Sequence, residues 1–240
     1  MKTLAVFPSK FEAAPLFSKL GAKANLGARA DLPPNFRAFV AGIGCAASAR
    51  RLEAEVGNFA PDLLILVGYC GACNPALENG DFIFEPCGDP LIDAFAEQTL
   101  GCRRAKIASV DFTADSSEKQ KLFADGFDAV EMEKKHFKPI AELCGAKFLH
   151  VRCVSDSKKS ALPAALLDST MDRRTGAVNP AKMFSLSAIL RRPKVALELA
   201  KFIAEILPVQ KRYASLHLFQ NPEDTFAYEN ENFLLSEKRK

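Results

Sequence analysis

A chain of 240 residues that is 48% hydrophobic is long enough to bury one substantial core and stands near the upper end of single-domain size. Its formal charge of +3 is spread thinly, with basic pairs at Arg50-Arg51, Arg103-Arg104 and Arg191-Arg192 and a basic end at Lys238-Arg239-Lys240, which argues against nucleic acid as the main partner. Seven irregularly spaced cysteines, of which Cys70 and Cys73 form the sole C-x-x-C, fit a reduced, cytoplasmic protein better than a disulfide framework, and the apolar start Met1–Pro8 is too short for a signal peptide, as every other apolar run is for a membrane span.

Short apolar runs alternate with longer amphipathic stretches, the pattern of strands buried between layers of helices, so an α/β domain is expected. In chain order, Leu4–Phe7 reads as a strand, Glu12–Leu20 as a helix and Phe36–Ala41 as a strand; a second helix, Ala46–Val56, is entered through Gly42-Ile43-Gly44. The strongest strand signal is Asp62–Val67, which should end in a turn at Gly68-Tyr69-Cys70-Gly71, where a ligand could come close to the main chain. Further strands are expected at Asp81–Glu85 and Ala105–Val110, and Ala129–Glu133 should lead into a helix reaching Cys144. Lys147–Val154 reads as a strand broken by the polar pair Ser155-Asp156, at the carboxyl edge where open α/β sheets collect ligands. Past Ala161 the chain should turn helical, with an apolar stripe at Val195, Leu199, Phe202, Ile203 and Ile206.

Several constellations point nowhere specific. His136, His150 and His217 lack metal-ligand spacing, and one C-x-x-C without a second is poor support for zinc, so neither metal nor cofactor is expected. Gly42-Ile43-Gly44 lacks the third glycine of a dinucleotide fingerprint, Ala47 standing in its place. No histidine is positioned by sequence to activate Cys70 as a nucleophile. Taken alone, Asp156 suits capping of the next segment as well as catalysis, and Glu131-Met132-Glu133 suits a helix start with a core methionine as well as a ligand site.

Four segments change that balance. They are the first strand followed by Glu12; Ala41-Gly42-Ile43-Gly44; Val67-Gly68-Tyr69-Cys70-Gly71-Ala72, closing with Glu78-Asn79-Gly80-Asp81; and Val130-Glu131-Met132-Glu133 together with Val151-Arg152-Cys153-Val154-Ser155-Asp156. In order and spacing the chain resembles the purine nucleoside phosphorylase and uridine phosphorylase superfamily over about residues 1–160, most of all its methylthioadenosine/S-adenosylhomocysteine nucleosidase branch. The stretch Ala161–Leu207 is similar to hopanoid-associated members of the same superfamily.

The resemblance implies a single three-layer domain over residues 1–210, with a mixed, mostly parallel, twisted and partly closed sheet between helices, and a partly polar tail over 211–240. It also implies cleavage of the N-glycosidic bond of an adenosine-type, 5′-substituted nucleoside by a homo-oligomer. Asp156 would be the general acid that protonates the leaving base, oriented by Ser155; Glu133 would hold the ribose hydroxyls over Met132, and Glu12 would orient the attacking water. Gly44, Tyr69, Cys70 and Gly71 would line the substrate, with Phe112 as the residue stacking on the base. Phosphorylases of this superfamily carry an arginine just before the turn, where this chain has Leu66-Val67; that favours water over phosphate as nucleophile. A phosphate-dependent phosphorylase and a nucleoside-binding protein without turnover remain the alternatives. Departures stand at Tyr69 and Cys70, where nucleosidases carry small residues, and at Lys134-Lys135-His136.

Overall fold

The computed structural model describes residues 1–157, 168, 170–179 and 193–222. Strand β1 (Thr3–Phe7) and helix α1 (Lys10–Lys19) are joined at Ser9, whose hydroxyl caps the helix by accepting the Glu12 N–H. Then follow β2 (Arg29–Leu32), β3 (Phe36–Val40), α2 (Ala46–Phe59), β4 (Leu63–Ala72) and β5 (Phe82–Glu85). A short helix α3 (Pro90–Ala94) continues as a π-helical turn, Phe95–Thr99, before β6 (Arg103–Arg104) and β7 (Ile107–Ser109). After α4 (Ser116–Ala124) come β8 (Ala129–Glu131), α5 (Lys134–Leu143) and β9 (Lys147–Asp156); a small hairpin pairs β10 (Met171–Asp172) with β11 (Ala177–Val178). Among the described residues that follow, helices span Pro193–Ala214 and His217–Gln220.

The main sheet runs β2-β3-β1-β4-β9-β5-β6, with β8 also paired to β4 and β7 to β8. Pairs β1·β3, β1·β4, β4·β9, β5·β6 and β7·β8 are parallel, while β2·β3, β4·β8 and β5·β9 are antiparallel. The sheet is open rather than partly closed, since β2 and β6 end its path without pairing to each other.

Period-2 side-chain alternation assigns each strand residue to one of two apolar layers. On β4, Leu63, Ile65 and Val67 face a core with Ala13, Leu16 and Phe17 of α1, whereas Leu64 and Leu66 face Leu52 and Val56 of α2 and Phe137 and Ala141 of α5. That alternation is what makes three layers. The first core continues beyond residue 210: Tyr213, Leu216, Leu218 and Phe219 are buried in it, with the Phe219 ring 6.0 Å from that of Phe7. The expected helical stripe falls on the Pro193–Ala214 helix, where Ile206 packs on this core; the side chains of Val195, Leu199, Phe202 and Ile203 lie outside the described residues.

Two expected breaks are continuous strand. Gly68-Tyr69-Cys70-Gly71 is not a turn but the far half of the ten-residue β4, and Ser155-Asp156 completes β9 rather than interrupting it. The reason lies in the pairing. β9 runs beside β4 from Leu63↔Lys147 to Gly71↔Asp156, with a bulge between Cys70 and Gly71, so its hydrogen bonds hold both strands extended through the polar and glycine positions.

Candidate active site

Beside β4 there is a gap. Strand β1 accompanies β4 only as far as Leu66, and β8 joins the same strand at Gly71, so the edge between them has no strand partner. Here the Tyr69 N–H donates instead to Glu12 Oε1, at 2.9 Å. The other oxygen, Oε2, accepts the Ser9 hydroxyl at 2.6 Å, so the residue that caps α1 also pins the Glu12 carboxylate. Burial raises the pKa of Glu12, against the opposing pull of Ser9, Arg152 and the Tyr69 amide. The spacing Ser9-Lys10-Phe11-Glu12, a serine followed three residues later by a glutamate, is a helix-start signal that foretells this cap.

Strand β8 delivers Glu131, Met132 and Glu133 to the same gap. Glu131 accepts the N–H groups of Glu133, at 2.8 Å, and Lys134, at 3.0 Å, and so caps the first turn of α5. Glu133 Oε1 accepts the Gly44 N–H at 3.2 Å. Between the two glutamates lies Arg152, wholly buried, 2.5 Å from Glu131 and 3.1 Å from Glu133, with His150 accepting its Nε–H at 2.8 Å. Burial works to raise the pKa of Glu131, but Arg152 and His150 more than reverse it; Glu133 is pushed up by burial and by the charges of Glu131 and Glu12, with Arg152 opposing. One guanidinium thus serves three buried carboxyl groups.

Gly44 is held to the same cluster by space. A Cβ there would overlap the Met132 carbonyl, so main chain packs on main chain at this point. Gly44→Ala should therefore push the Met132-Glu133 segment outward and destabilise the protein by roughly 1–3 kcal/mol, an overpacking effect readable in chemical denaturation.

At the other end of the cavity stands Asp156. Ser155 Oγ lies 2.9 Å from Asp156 Oδ1 and 3.1 Å from the Cys70 carbonyl, and Lys119 of α4 forms an ion pair with Oδ2. Burial raises the pKa of Asp156 and outweighs the lowering by Lys119 and Ser155. These residues share one cavity of about 490 Å³, the size of a small-molecule site. It is lined by Glu12, Tyr69, Cys70, Gly71, Phe112, Met132, Glu133, Ser155 and Asp156 of the expected set, with Gly44 just behind the wall.

Other candidates take different places. The Tyr69 ring leans on Tyr213, centroids 4.5 Å apart, and so belongs largely to the core beneath the pocket instead of crossing it. Cys70 is buried, and burial pushes its thiol pKa up, the wrong direction for a nucleophile; all seven cysteines are unpaired. Phe112 is 44% exposed at the cavity mouth. Lys134 is tied to Glu85 and to the Ile107 carbonyl, and Lys135 and His136 to Asp111, so the unusual basic run after Glu133 is spent on neighbouring loops and strands.

Sequence reading assigned no role to Arg152 or Lys119. For Arg152 a signal existed, a charged residue inside the apolar run Phe148–Val154; for Lys119 there was none, because Ser116–Lys121 reads as a solvated helix.

No protein-family model matches the chain, nor does any curated protein sequence. Solved structures do. The 5′-methylthioadenosine nucleosidase of Arabidopsis thaliana superposes with a TM-score of 0.59 at 14% identity, over 94% of this chain and 95% of that one. The chain has the nucleosidase fold. The Campylobacter jejuni 5′-methylthioadenosine/S-adenosylhomocysteine nucleosidase gives 0.55 at 20% identity, over 66% of this chain and 86% of its own. Futalosine hydrolase of Helicobacter pylori gives 0.52 at 15%, over 86% of this chain and 97% of its own. Within this nucleosidase fold, the gap beside β4 is the place where the carboxyl groups gather.

Proposed function

We propose that the protein hydrolyses the N-glycosidic bond of a purine nucleoside carrying a 5′ substituent. The observation that carries this reading is the division of one cavity into a carboxyl-rich end, at Glu12 and Glu133, and a single shielded acid, Asp156. Breaking the bond leaves an oxocarbenium-like ribose and an electron-rich base, so acceptors are needed at the sugar and a proton donor at the base. In this scheme Glu133 accepts from the ribose hydroxyls above Met132. Glu12 takes a proton from the attacking water as the oxygen bonds to the anomeric carbon; the electron pair of the broken bond stays with the base, which takes its proton from Asp156. Phe11, Ile206 and Leu207 also line the cavity and suit an apolar 5′ group.

Electrostatics favours water over phosphate. Lys119 is the only cationic side chain lining the cavity among the described residues, and it is engaged at Asp156. At the sugar end three carboxyl groups share Arg152, already bound to two of them, so a phosphate dianion would meet repulsion without a free guanidinium fork. The test is release of free base from 5′-methylthio purine nucleosides by purified protein, with and without phosphate. Release in phosphate-free buffer, unchanged by added phosphate, is expected. Strict phosphate dependence with formation of ribose 1-phosphate would make it a phosphorylase, and tight binding with no release under either condition would make it a binding protein.

A further inference from the structure

We propose that Lys119 selects the base: the site takes a 6-oxopurine, with acceptors at both N7 and the C6 substituent, in preference to an adenine-type base. This rests on the nucleosidase reading above and revises its adenosine-type expectation.

Lys119 is an unusual residue to find here. It comes from the middle of α4, a short polar helix fixed at its start by a reciprocal cap between Asp115 and Glu118, yet it is only 7% exposed. Its side chain crosses β4 at Gly71, where an added Cβ would stand 2.7 Å from Lys119 Cε and 2.8 Å from Nζ. The bare glycine is thus what admits the ammonium to the cavity.

An ammonium carries three N–H donors and no acceptor, and among the described residues Asp156 is the one hydrogen-bond partner of Lys119 Nζ. Asp156 already has the Ser155 hydroxyl beside one oxygen and Lys119 on the other. What the base end has left over is donors. On the exposed edge of a purine, N7 and the C6 substituent are neighbours: guanine-like bases present two acceptors there, whereas adenine presents an acceptor at N7 and an amino donor beside it. With N7 at Asp156, the C6 substituent lies toward the adjacent ammonium. An oxo group accepts from Lys119, while an amino group would turn N–H bonds toward N–H bonds. The same contact favours bond cleavage, because the electron pair left on a 6-oxopurine spreads onto that oxygen while N7 takes its proton from Asp156.

The experiment compares 5′-methylthioinosine with 5′-methylthioadenosine as substrates, and hypoxanthine with adenine as ligands in calorimetry. For the wild-type protein kcat/KM for the inosine compound should exceed that for the adenosine compound by about ten- to a hundredfold, the discrimination of one good base contact, with hypoxanthine binding tighter than adenine. Lys119→Met should bring the two substrates to within a fewfold of each other and Lys119→Arg should restore the preference, whereas a purely structural lysine would change both rates in proportion. Preference for the adenosine compound, or equal handling of the two bases by wild-type protein, would overturn the assignment. Absence of turnover with both nucleosides, but tighter binding of hypoxanthine that Lys119→Met abolishes, would remove the hydrolase reading and leave the base assignment standing; binding of neither base would end both.

Discussion

Replacing Asp156 by asparagine should lower kcat by roughly 10²–10⁴-fold while KM changes little, the range expected when a general acid is lost. The amide keeps an oxygen that can accept from Lys119 and a shape that can pack against Gly71 and Ser155, so the fold and the binding of base should survive. What goes is the transferable proton. The pH profile adds a second signature. In the proposed scheme Asp156 acts in its protonated form, and burial raises its pKa, so the wild-type rate should decline as pH rises through that value. Glu12 and Glu133 act ionised in the same scheme, and burial raises their pKa values too, so the rate should also decline as pH falls through theirs. In Asp156→Asn the alkaline decline should vanish and the acid one remain. A variant with near wild-type kcat, or one that retains the alkaline limb, would show that the proton comes from elsewhere.

The largest loss of stability is expected from Arg152→Met. The side chain is wholly buried and supports Glu131, Glu133 and His150 together. An apolar replacement of similar length fills the volume but leaves two carboxyl groups buried without their countercharge, a change that typically costs about 3–5 kcal/mol. For a chain of this size that corresponds to a fall in Tm on the order of 10 °C, measurable by thermal denaturation. The sign of its pH dependence is diagnostic. In the wild-type protein the Glu131 pKa is depressed in the folded state, so its contribution is present above the unfolded value and is lost as pH falls through the folded one. Without Arg152 the largest opposing influence on Glu131 is gone, and burial moves its folded pKa upward against the remaining pull of His150 and Ser109, so less of the variant's stability is lost as pH falls. The deficit of the variant relative to wild type should therefore shrink on acidification; a deficit that does not depend on pH would mean that Arg152 matters for packing rather than for charge.

Much of the fold was legible in the sequence because the central strands are unusually apolar. Leu4–Phe7, Phe36–Ala41 and Asp62–Val67 could be read from composition alone, and their counterparts β1, β3 and the first half of β4 are where they were expected. Reading failed where residues disfavoured in strands occur inside them. Gly68 and Gly71 looked like a turn, yet they sit in an extended strand held by β9, and their missing side chains make room for Glu12 and Arg152 at one position and Lys119 at the other. Ser155 and Asp156 looked like a break for a related reason: polar residues at a strand end resemble a loop until a neighbouring strand is known to accompany them.

The site was legible in its parts but not in its electrostatics. Glu12, Glu133 and Asp156 could be singled out because local motifs surround them, and they do converge on one cavity. The partners that set their charge come from distant segments. Arg152 is 19 residues from Glu133, and Lys119 is 37 from Asp156, so neither pairing has a local pattern to betray it. Burial of a lysine in a helix as polar as Ser116–Ala124 depends on how α4 approaches β4, which no periodicity within the helix encodes.

Strand β9 carries the last consequence. His150 and Arg152 have the same parity along it, and their neighbours Leu149, Val151 and Cys153 point into the core on the other side; the bulge opposite Cys70 and Gly71 then re-aims the strand so that Asp156 stands beside Gly71. Both ends of the cavity are therefore mounted on one extended segment, the carboxyl cluster through Arg152 and the buried Asp156 directly. Their separation is counted in peptide units, not negotiated by side chains. Such an arrangement tolerates substitution far better than a change of length: a single residue inserted between Arg152 and the bulge would carry Asp156 out of its register with Gly71, dismantling the cavity while altering no functional side chain.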